Sequence, residues 1–463
     1  MNQDFAIVIL AAGLGTRMKS RRAKVLHRAG GKTLIELVVS TATQVAAPDR
    51  VHVVVGHQAE LVQQAVAVAG VRTIVQSEQL GTGHAVLEGR SALESAGPHL
   101  LVLYGDCPLV APETLAALMR QHLETGAAAT VLTTRLADPA GYGRMIRDRS
   151  GHIQAIVEEK AATPEQKAVT EINSGIYCFQ TPRLFECLAR LRPDNAAGEY
   201  YLTDVIGDLA SQGRLIGGFS ICESWQVLGI NTRVELAEVD AVLRGRKARA
   251  LMLDGVTIQR PETVTLDLGV SVGSDTVLEP FVQVLGRSAI GSGCLVRSYS
   301  VVSDSTLADE VTVEPFSLIH ESQIERGARI GPYARLRTGN YVGAEARVGN
   351  FVELKKTRIG ARSKAQHLAY LGDADIGAGV NIGAGTITCN YDGLSKHPTT
   401  IGDGVFVGSN TTLVAPVEIG AGSYVAAGSV VTENVPPDTL TIARSRQTNK
   451  RGWPSRRSGR GRS

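Results

Sequence analysis

The sequence predicts two folds in succession, an α/β domain with a mostly parallel, Rossmann-like sheet over residues 1–230 and a parallel β-helix of hexapeptide repeats over residues 254–443. Three observations predict it. The first half alternates short apolar runs with longer amphipathic stretches. An aliphatic residue recurs every six positions through most of the second half. Between them, residues 231–253 are polar and basic and follow neither pattern.

Residues 6–12 form a continuous apolar run ending at Gly13, the mark of a strand buried on both faces. Residues 51–55, 73–75 and 100–104 read as further strands, with helices over 33–46 and 59–69 between them. Such alternation builds a doubly wound sheet whose ligands bind beyond the carboxyl ends of the strands. Residues 129–135, 144–148, 152–158 and 172–179 read as antiparallel strands, expected to form a flap or extension over that ligand edge.

Leu236, Val239 and Leu243 fall at spacings of three and four, one face of a helix over 231–253, with Asn231 or Thr232 as its cap. This helix is expected to connect the two domains. The hexads then run Val272, Leu278, Val284, Ile290, Val296, Val302, slip by one to Leu307, Val313, Ile319, and continue at Ile324, Ile330, Leu336, Val342, Val348, Leu354. A last run is Ile401, Val407, Leu413, Ile419, Val425, Val431. Six fits neither the helix period nor the heptad. It fits a short strand plus a turn, three to a coil of about 18 residues. The beat is expected to fail between Leu354 and Ile401: Ile359 comes after five residues, Ile376 and Ile382 recover the period briefly, Thr388 holds the next place and Ile401 comes thirteen later, while polar residues crowd the stretch. Interruptions of a solenoid map to loops that often form its binding face, so a second site is expected there, against the plainer reading of a tolerated insertion.

At 463 residues the chain exceeds a single core, and 43% hydrophobic with 20% charged residues is a globular composition. Net charge is +3, but residues 444–463 hold eight Lys/Arg and no Asp/Glu, so the remainder is acidic on balance. No basic face offers itself to nucleic acid, and none is expected as a partner. The tail 444–463 reads as a solvated, disordered end, with ligand or partner binding near Arg444 as the alternative. The six Cys are scattered without a CxxC, which argues against a zinc ribbon or a disulfide framework and fits a reducing compartment. The apolar run 5–12 is too short to cross a bilayer, and residues 1–4 carry no basic charge, so no membrane association and a cytoplasmic location are expected.

Leu10-Ala-Ala-Gly13-Leu-Gly15-Thr16-Arg17-Met18 follows the first strand. Gly13 and Gly15 let backbone N–H groups approach a phosphate, Arg17 adds a forked cation and Lys24 a second charge. Together these suit a triphosphate, although a plain tight turn into a helix remains open on pattern alone. A dinucleotide GxGxxG is not met, because Met18 stands at its third glycine. Gly31-Lys32-Thr33 ends like a P-loop, but Leu26 stands where the upstream glycine belongs.

These residues, with Lys24-Val-Leu, Gln76, Gly81-Thr82-Gly-His-Ala, Tyr104-Gly105-Asp106, Tyr142-Gly143-Arg144, Glu158-Glu159-Lys160, Asn173-Ser174-Gly175 and Gly229-Ile230-Asn231, resemble the signature of the nucleotide-sugar pyrophosphorylases. With the hexads downstream, residues 5–452 resemble the bifunctional bacterial family that is both N-acetylglucosamine-1-phosphate uridylyltransferase and glucosamine-1-phosphate N-acetyltransferase. The resemblance implies a left-handed coil, although parallel crossovers are right-handed in nearly all folds, and it implies a homotrimer. It implies that Leu10, Ala11, Gly13, Gln76, Gly81 and Thr82 hold the uridine nucleotide, beside Tyr104 and Gly105. Arg17 and Lys24 are implied to hold phosphates, Gly143, Glu158, Asn173 and Asn231 the sugar and ribose side, and Asp106 and Asn231 a Mg²⁺ ion. Ala23 stands where the family commonly has proline, a departure expected to loosen the loop before Lys24.

For the second site the resemblance implies that Arg337, Lys355, Tyr370, Asn381 and Lys396 bind glucosamine 1-phosphate. Ala384, Ser409, Ala427 and Arg444 are implied to bind acetyl-CoA, Asn390 and Tyr391 to shape that site, and His367 to act as general base. An amine attacks a thioester only when unprotonated, and a histidine of reference pKa about 6.5 takes its proton near neutrality. Cys389 reads as a small apolar residue, since direct transfer needs no acyl-enzyme. The implied outcome is acetylation of glucosamine 1-phosphate from acetyl-CoA, then uridylyl transfer from UTP to N-acetylglucosamine 1-phosphate, giving UDP-N-acetylglucosamine for cell-wall polymers. Two alternatives are a single-activity sugar nucleotidyltransferase with a structural or regulatory β-helix, and a non-catalytic trimeric scaffold.

Overall fold

One sheet of nine strands organises the first half: β1 (Phe5–Leu10), β2 (Val51–Val55), β3 (Arg72–Val75), β4 (His99–Tyr104), β5 (Ala129–Arg135), β6 (Arg144–Arg147), β7 (Ile153–Val157), β8 (Glu171–Gln180) and β9 (Ile216–Ile221). The computed structural model describes residues 3–194 and 198–453, and the chain divides into the units Met1–Leu243 and Arg244–Ser463. Of the predicted basic tail, residues 454–463 lie outside the described residues.

The strand order is β9-β5-β8-β4-β1-β2-β3. β1 pairs in parallel with both β2 and β4, β2 with β3, and β5 with β9, while β8 runs antiparallel between β4 and β5. Every β1 side chain is buried: Phe5, Ile7 and Ile9 enter one core and Ala6, Val8 and Leu10 the other, as the two-residue period of a strand requires. Neighbours on both sides of β1 open a crevice beyond Leu10 and Tyr104. The flap predicted over residues 129–179 reduces to the hairpin β6–β7, because β5 and β8 are central, mostly buried members of the sheet. β9, with Gly217-Gly218 and half-exposed neighbours, gives no periodic signal in the sequence.

Thr33 caps the helix Leu34–Val45, accepting from Glu36 N while the Glu36 carboxylate accepts from Thr33 N at 2.6 Å. Gly31-Lys32-Thr33 is therefore a helix start and not a phosphate loop. Thr232 caps Arg233–Leu253 in the same way, its N–H donating to Glu235 Oε2 at 2.6 Å. Val239 and Leu243 are buried. Further along this helix, Ala248 and Leu251 join the core of the second unit, and Arg244 Nη1 donates to Leu266 O and Asp267 Oδ1 at 2.9 Å each.

Among the described residues the second unit is a β-helix of three parallel sheets with 11, 10 and 9 strands, its first, second and third faces. Each coil contributes one core residue to each face, as Leu278, Val284 and Ile290 do in turn, and every hexad residue named above is buried in one continuous core. From Leu266 to Val431 every departure from a spacing of six falls at the corner between the second and third faces. Val302 to Leu307, Ile319 to Ile324, Leu354 to Ile359 and Leu371 to Ile376 use five positions there, and Thr388 to Ile401 uses thirteen. The beat does not fail after Leu354 as expected. Ala365 and Leu371 take the places in question, both buried, and the real interruption is only the loop 390–398.

Glycine so often follows the core residue because the coils touch there: a Cβ at Gly360 would lie 2.4 Å from the carbonyl carbon of Gly377 in the next coil. The corner between the first and second faces carries Phe281, Tyr299, Phe316, Tyr333, Phe351 and Leu368 in the left-handed region, with φ from 48° to 65°. That conformation costs a side-chain-bearing residue about 1–2 kcal/mol. The five rings stack in one exposed ladder with centroids 4.8–5.4 Å apart, which offsets about 0.5–1.5 kcal/mol per pair. Among the described residues no helix is long and apolar enough to cross a membrane.

Candidate functional site

In each unit the predicted polar residues gather into groups. In the first unit a cleft of about 530 Å³ opens at the crevice beyond β1 and β4. Leu10, Ala11, Gly13, Arg17, Lys24, Gln76, Gly81, Thr82, Tyr104, Asp106 and Asn231 all line it. The loop after β1 closes on the Lys24 stem at Gly15, whose φ is 62° and where a Cβ would lie 2.6 Å from Lys24 Cβ. The Lys24 ammonium pairs with the Asp106 carboxylate and lies 3.3 Å from Asn231 Oδ1, which also accepts from Arg17 Nη2 at 2.8 Å. Ala23 is fixed rather than loose. Its φ of −55° is one a proline would adopt, and its N–H donates to Gln58 Oε1 at 2.8 Å.

The Tyr104 phenol is pushed well above its usual range by burial, with the Thr82 hydroxyl bond working the other way. Gly143, Glu158 and Asn173 gather in a cluster of their own: a Cβ at Gly143 would lie 3.6 Å from both Glu158 Oε1 and Asn173 Cβ, and Asn173 N donates to Gly143 O at 2.9 Å. Burial raises the Glu158 carboxyl above its ordinary value, against a hydrogen bond from Thr203 Oγ1 at 3.3 Å. Gly105 does not line this cleft, and a Cβ there would meet Val25, Ala11 and Ile35 within 3.2 Å.

Two features escaped the sequence. Glu199 lines the cleft, and the segment after it packs on residues 80–83, with Gly83 N donating to Tyr200 O at 2.7 Å. Arg144, the largest fully buried side chain, ties the Tyr142 carbonyl to Glu159 Oε2, the latter at 2.7 Å. The Gly81-Thr82-Gly83 run signals a close approach, but nothing local marks residues 199–203 as its partner.

Asp106 and Asn231 offer a divalent cation one carboxylate and one amide oxygen. Among the described residues no group of three or more His, Cys, Asp or Glu is placed to hold a metal. Two hard oxygen donors with an open remainder fit Mg²⁺, which keeps waters and takes substrate phosphate oxygens for the rest of its shell. The ammonium resting between these two oxygens shows that the site already accommodates positive charge.

In the second unit the predicted residues, Asn381 excepted, sort onto the second face and its two edges. At the edge toward the third face, Lys355 Nζ pairs with Asp373 Oδ2 at 3.1 Å, Asn390 Nδ2 donates to the same carboxylate, and Arg337 Nη1 pairs with Glu353 Oε1 at 3.0 Å. The Asp373 carboxyl sits below its ordinary range: burial opposes this, but the bonds from Lys355 and Asn390 outweigh it. Lys396 arrives from the loop 390–398, and the Lys355 ammonium facing it holds it below its usual value. That loop is ordered by Asp392, which accepts from Leu394 N, Ser395 N and His397 Nε2 at 2.7 Å each, and Tyr391 pairs back to Lys396. Tyr370 pairs with Glu353 in register on this face.

At the opposite edge His367, Ala384, Ser409 and Ala427 occupy one register position in successive coils, two residues past the core residues Ala365, Ile382, Val407 and Val425. Asn410 N donates to Ala384 O at 2.7 Å and Gly428 N to Ser409 O at 2.8 Å, stacking this column, and a Cβ at Gly428 would lie 3.7 Å from Arg444 Cδ. His367 Nδ1 faces Asn350 Oδ1 one coil earlier. Asn381 lies on the first face beside Lys364 and Phe406, apart from the Lys355 cluster.

Residues 7–204 match the family model of the MobA-like NTP transferase domain, and residues 398–433 match that of the bacterial transferase hexapeptide in six repeats. The chain is 56% identical to a protein named bifunctional protein GlmU from Solibacter usitatus (strain Ellin6076), covering 99% of this chain and 98% of the relative. Proteins of the same name from Koribacter versatilis (strain Ellin345) and Geotalea uraniireducens (strain Rf4) are 50% and 48% identical, covering 98% and 97% of this chain and 98% of each relative.

Proposed function

The chain belongs to the bifunctional GlmU family, and we propose that its two transfers take place at the two constellations described above, one in each unit. It is a bifunctional transferase of UDP-N-acetylglucosamine synthesis, an acetyltransferase and a uridylyltransferase in one chain. Relatives matched end to end are called bifunctional, which favours two activities over a single nucleotidyltransferase with a structural β-helix. The observation that carries the assignment of sites is the presence of a separate polar constellation in each unit.

For uridylyl transfer, residues 1–230 bind UTP along Leu10, Ala11, Gly13, Gln76, Gly81 and Thr82, with Arg17 and Lys24 on its phosphates. Gly143, Glu158 and Asn173 orient N-acetylglucosamine 1-phosphate. A phosphate oxygen of the sugar attacks the α-phosphorus, the bond to the β-phosphate oxygen breaks, and pyrophosphate leaves. No covalent intermediate with the protein is needed, so positioning and charge stabilisation supply the rate. Asp106 and Asn231 would hold Mg²⁺, which when bound offsets the charge of the phosphates.

For acetyl transfer, residues 254–443 bind glucosamine 1-phosphate through Arg337, Lys355, Tyr370 and Lys396, while Asn381, on the first face and apart from them, would reach that ligand only from another copy of the chain in the homotrimer. Two facing ammonium groups, at Lys355 and Lys396, support a phosphate at that edge, since an anion between them relieves their repulsion. Acetyl-CoA follows the column Ala384, Ser409, Ala427 to Arg444, with Asn390 and Tyr391 shaping the loop side. His367 Nε2 takes the proton of the amine as it attacks the thioester carbonyl, the C–S bond breaks, and the sulfur leaves as a thiol on taking that proton from the imidazolium. A homotrimer in the cytoplasm belongs to the same proposal. Support comes from the base and the sugar-phosphate cluster standing at opposite edges of one face, from the exposed aromatic ladder, and from six free cysteines.

Separate assays decide the assignment. Asp106→Ala abolishes uridylyl transfer and spares acetyl transfer, and His367→Ala does the reverse. Either variant retaining both activities removes that site from the proposal.

A further inference from the structure

Lys24 stands where the metal is expected. Its ammonium is paired with Asp106 Oδ2 and lies 3.3 Å from Asn231 Oδ1, the two oxygens assigned above to a divalent cation. The contact is built. The Lys24 and Asp106 side chains are only 17% and 14% exposed, the Gly15 loop closes on the lysine stem, and the preceding Ala23 is anchored on Gln58. Arg17 Nη2 donates to the same Asn231 oxygen at 2.8 Å. A metal held by Asp106 and Asn231 would have to share these oxygens with the ammonium and guanidinium that now bond them, at close quarters. It would also add its charge to two side-chain cations around a single carboxylate. A triphosphate changes both conditions, since it draws Lys24 and Arg17 onto its own oxygens and supplies the missing negative charge.

We infer that Lys24 is a resident cation that keeps Asp106 and Asn231 from a divalent metal until a polyphosphate draws its ammonium away, so that metal and nucleotide bind cooperatively. The inference rests on the reading of Asp106 and Asn231 as metal oxygens. By linkage, the factor by which nucleotide tightens metal equals the factor by which metal tightens nucleotide.

The test titrates Mn²⁺ into the full-length protein and reads free and bound ion by electron paramagnetic resonance, with and without a non-hydrolysable UTP analogue. Wild type binds Mn²⁺ weakly alone and more tightly with the analogue. Lys24→Met, which removes the competing charge but keeps the stem, raises nucleotide-free Mn²⁺ affinity by about tenfold or more and shrinks the gain from the analogue. Lys24→Arg, which keeps a cation, stays as weak as wild type without nucleotide. If Lys24→Met, folded by circular dichroism, binds Mn²⁺ no more tightly than wild type, the lysine is only a phosphate ligand and the inference is overturned. Lys24→Gln carries the same test should the methionine variant misfold. Asp106→Asn separates the two levels: it loses Mn²⁺ binding in both conditions if the metal reading holds, and unchanged binding would sink that reading itself.

Discussion

His367 Nδ1 and Asn350 Oδ1 lie 2.8 Å apart, in paired positions of adjacent coils. An amide oxygen only accepts, so Nδ1 carries the proton and Nε2 keeps its lone pair for the substrate amine. Asn350→Ala frees the ring and its tautomer. Its kcat for acetyl transfer, followed by thiol release, is expected to fall about tenfold to hundredfold with uridylyl transfer unchanged. Asn350→Asp, which also accepts from Nδ1, should recover most of the loss. An unchanged kcat in the alanine variant would show that the pair does not orient the base.

The loop 390–398 is held by one carboxylate. Asp392 takes two backbone N–H groups and His397, and the bonds keep its carboxyl far below the usual range. Asp392→Ala should release Lys396 from its place beside Lys355. The expected result is a KM for glucosamine 1-phosphate raised by about tenfold to hundredfold, with the KM for UTP unaffected.

Ala23 and Gln58 offer a double-mutant cycle. Ala23→Pro fits the local φ but loses the N–H bond, so about 1 kcal/mol lost is offset by about 0.4–1 kcal/mol of chain stiffening. The net change in urea unfolding is expected within about 1 kcal/mol. Gln58→Leu loses that bond and the one from Gln58 Nε2 to Arg21 O at 2.8 Å. In the Gln58→Leu background, Ala23→Pro becomes stabilising, because no bond remains for it to break.

Acid should unfold the first unit before the β-helix. Burial pushes His122 down to about 4, where its Nδ1 meets Thr130 Oγ1 at 2.9 Å and its Nε2 meets His99 Nδ1 at 3.1 Å. His27, His52 and His99 are lowered too, by burial first, and both ring nitrogens of His52 lack a hydrogen-bond partner among the described residues. A histidine with a lowered folded pKa contributes stability that is intact above its unfolded value and lost as pH falls toward the folded one. For His122 that window runs from pH 6.5 down to about 4, and the loss is up to about 3 kcal/mol. The second unit's histidines, at 320, 367 and 397, are not buried. Calorimetry at pH 7.5 and pH 5 should show the first unit's transition moving down more than that of the β-helix, and less so in His122→Leu.

The hexads were legible because each coil buries one aliphatic side chain per face, so period and burial coincide. Leu354→Ala, at a fully buried position, should cost about 2–5 kcal/mol. Legibility failed at Ala365, whose methyl is too small to stand out, and at Leu371, hidden between two five-residue steps. The phosphate loop was legible as a motif, but its closure was not. Lys24 meets an Asp 82 positions away and an Asn 207 positions away, distances no local pattern carries. Strands β5 and β8 looked like a flap because antiparallel order and alternation are the same whether a strand lies in a hairpin or mid-sheet. Only burial on both faces distinguishes them.

A coil with three faces also works as a counter. Six residues added within a face-to-face step would turn everything downstream by one face, carrying Ala384, Ser409 and Ala427 out of line with His367. About 18 residues would only raise the column by one storey. The corner between the second and third faces is exempt, since steps of five, six and thirteen residues all leave the faces above it in phase. Foreign sequence grafted into this protein therefore has one corner where its length is free, and the loop that brings Lys396 already occupies it.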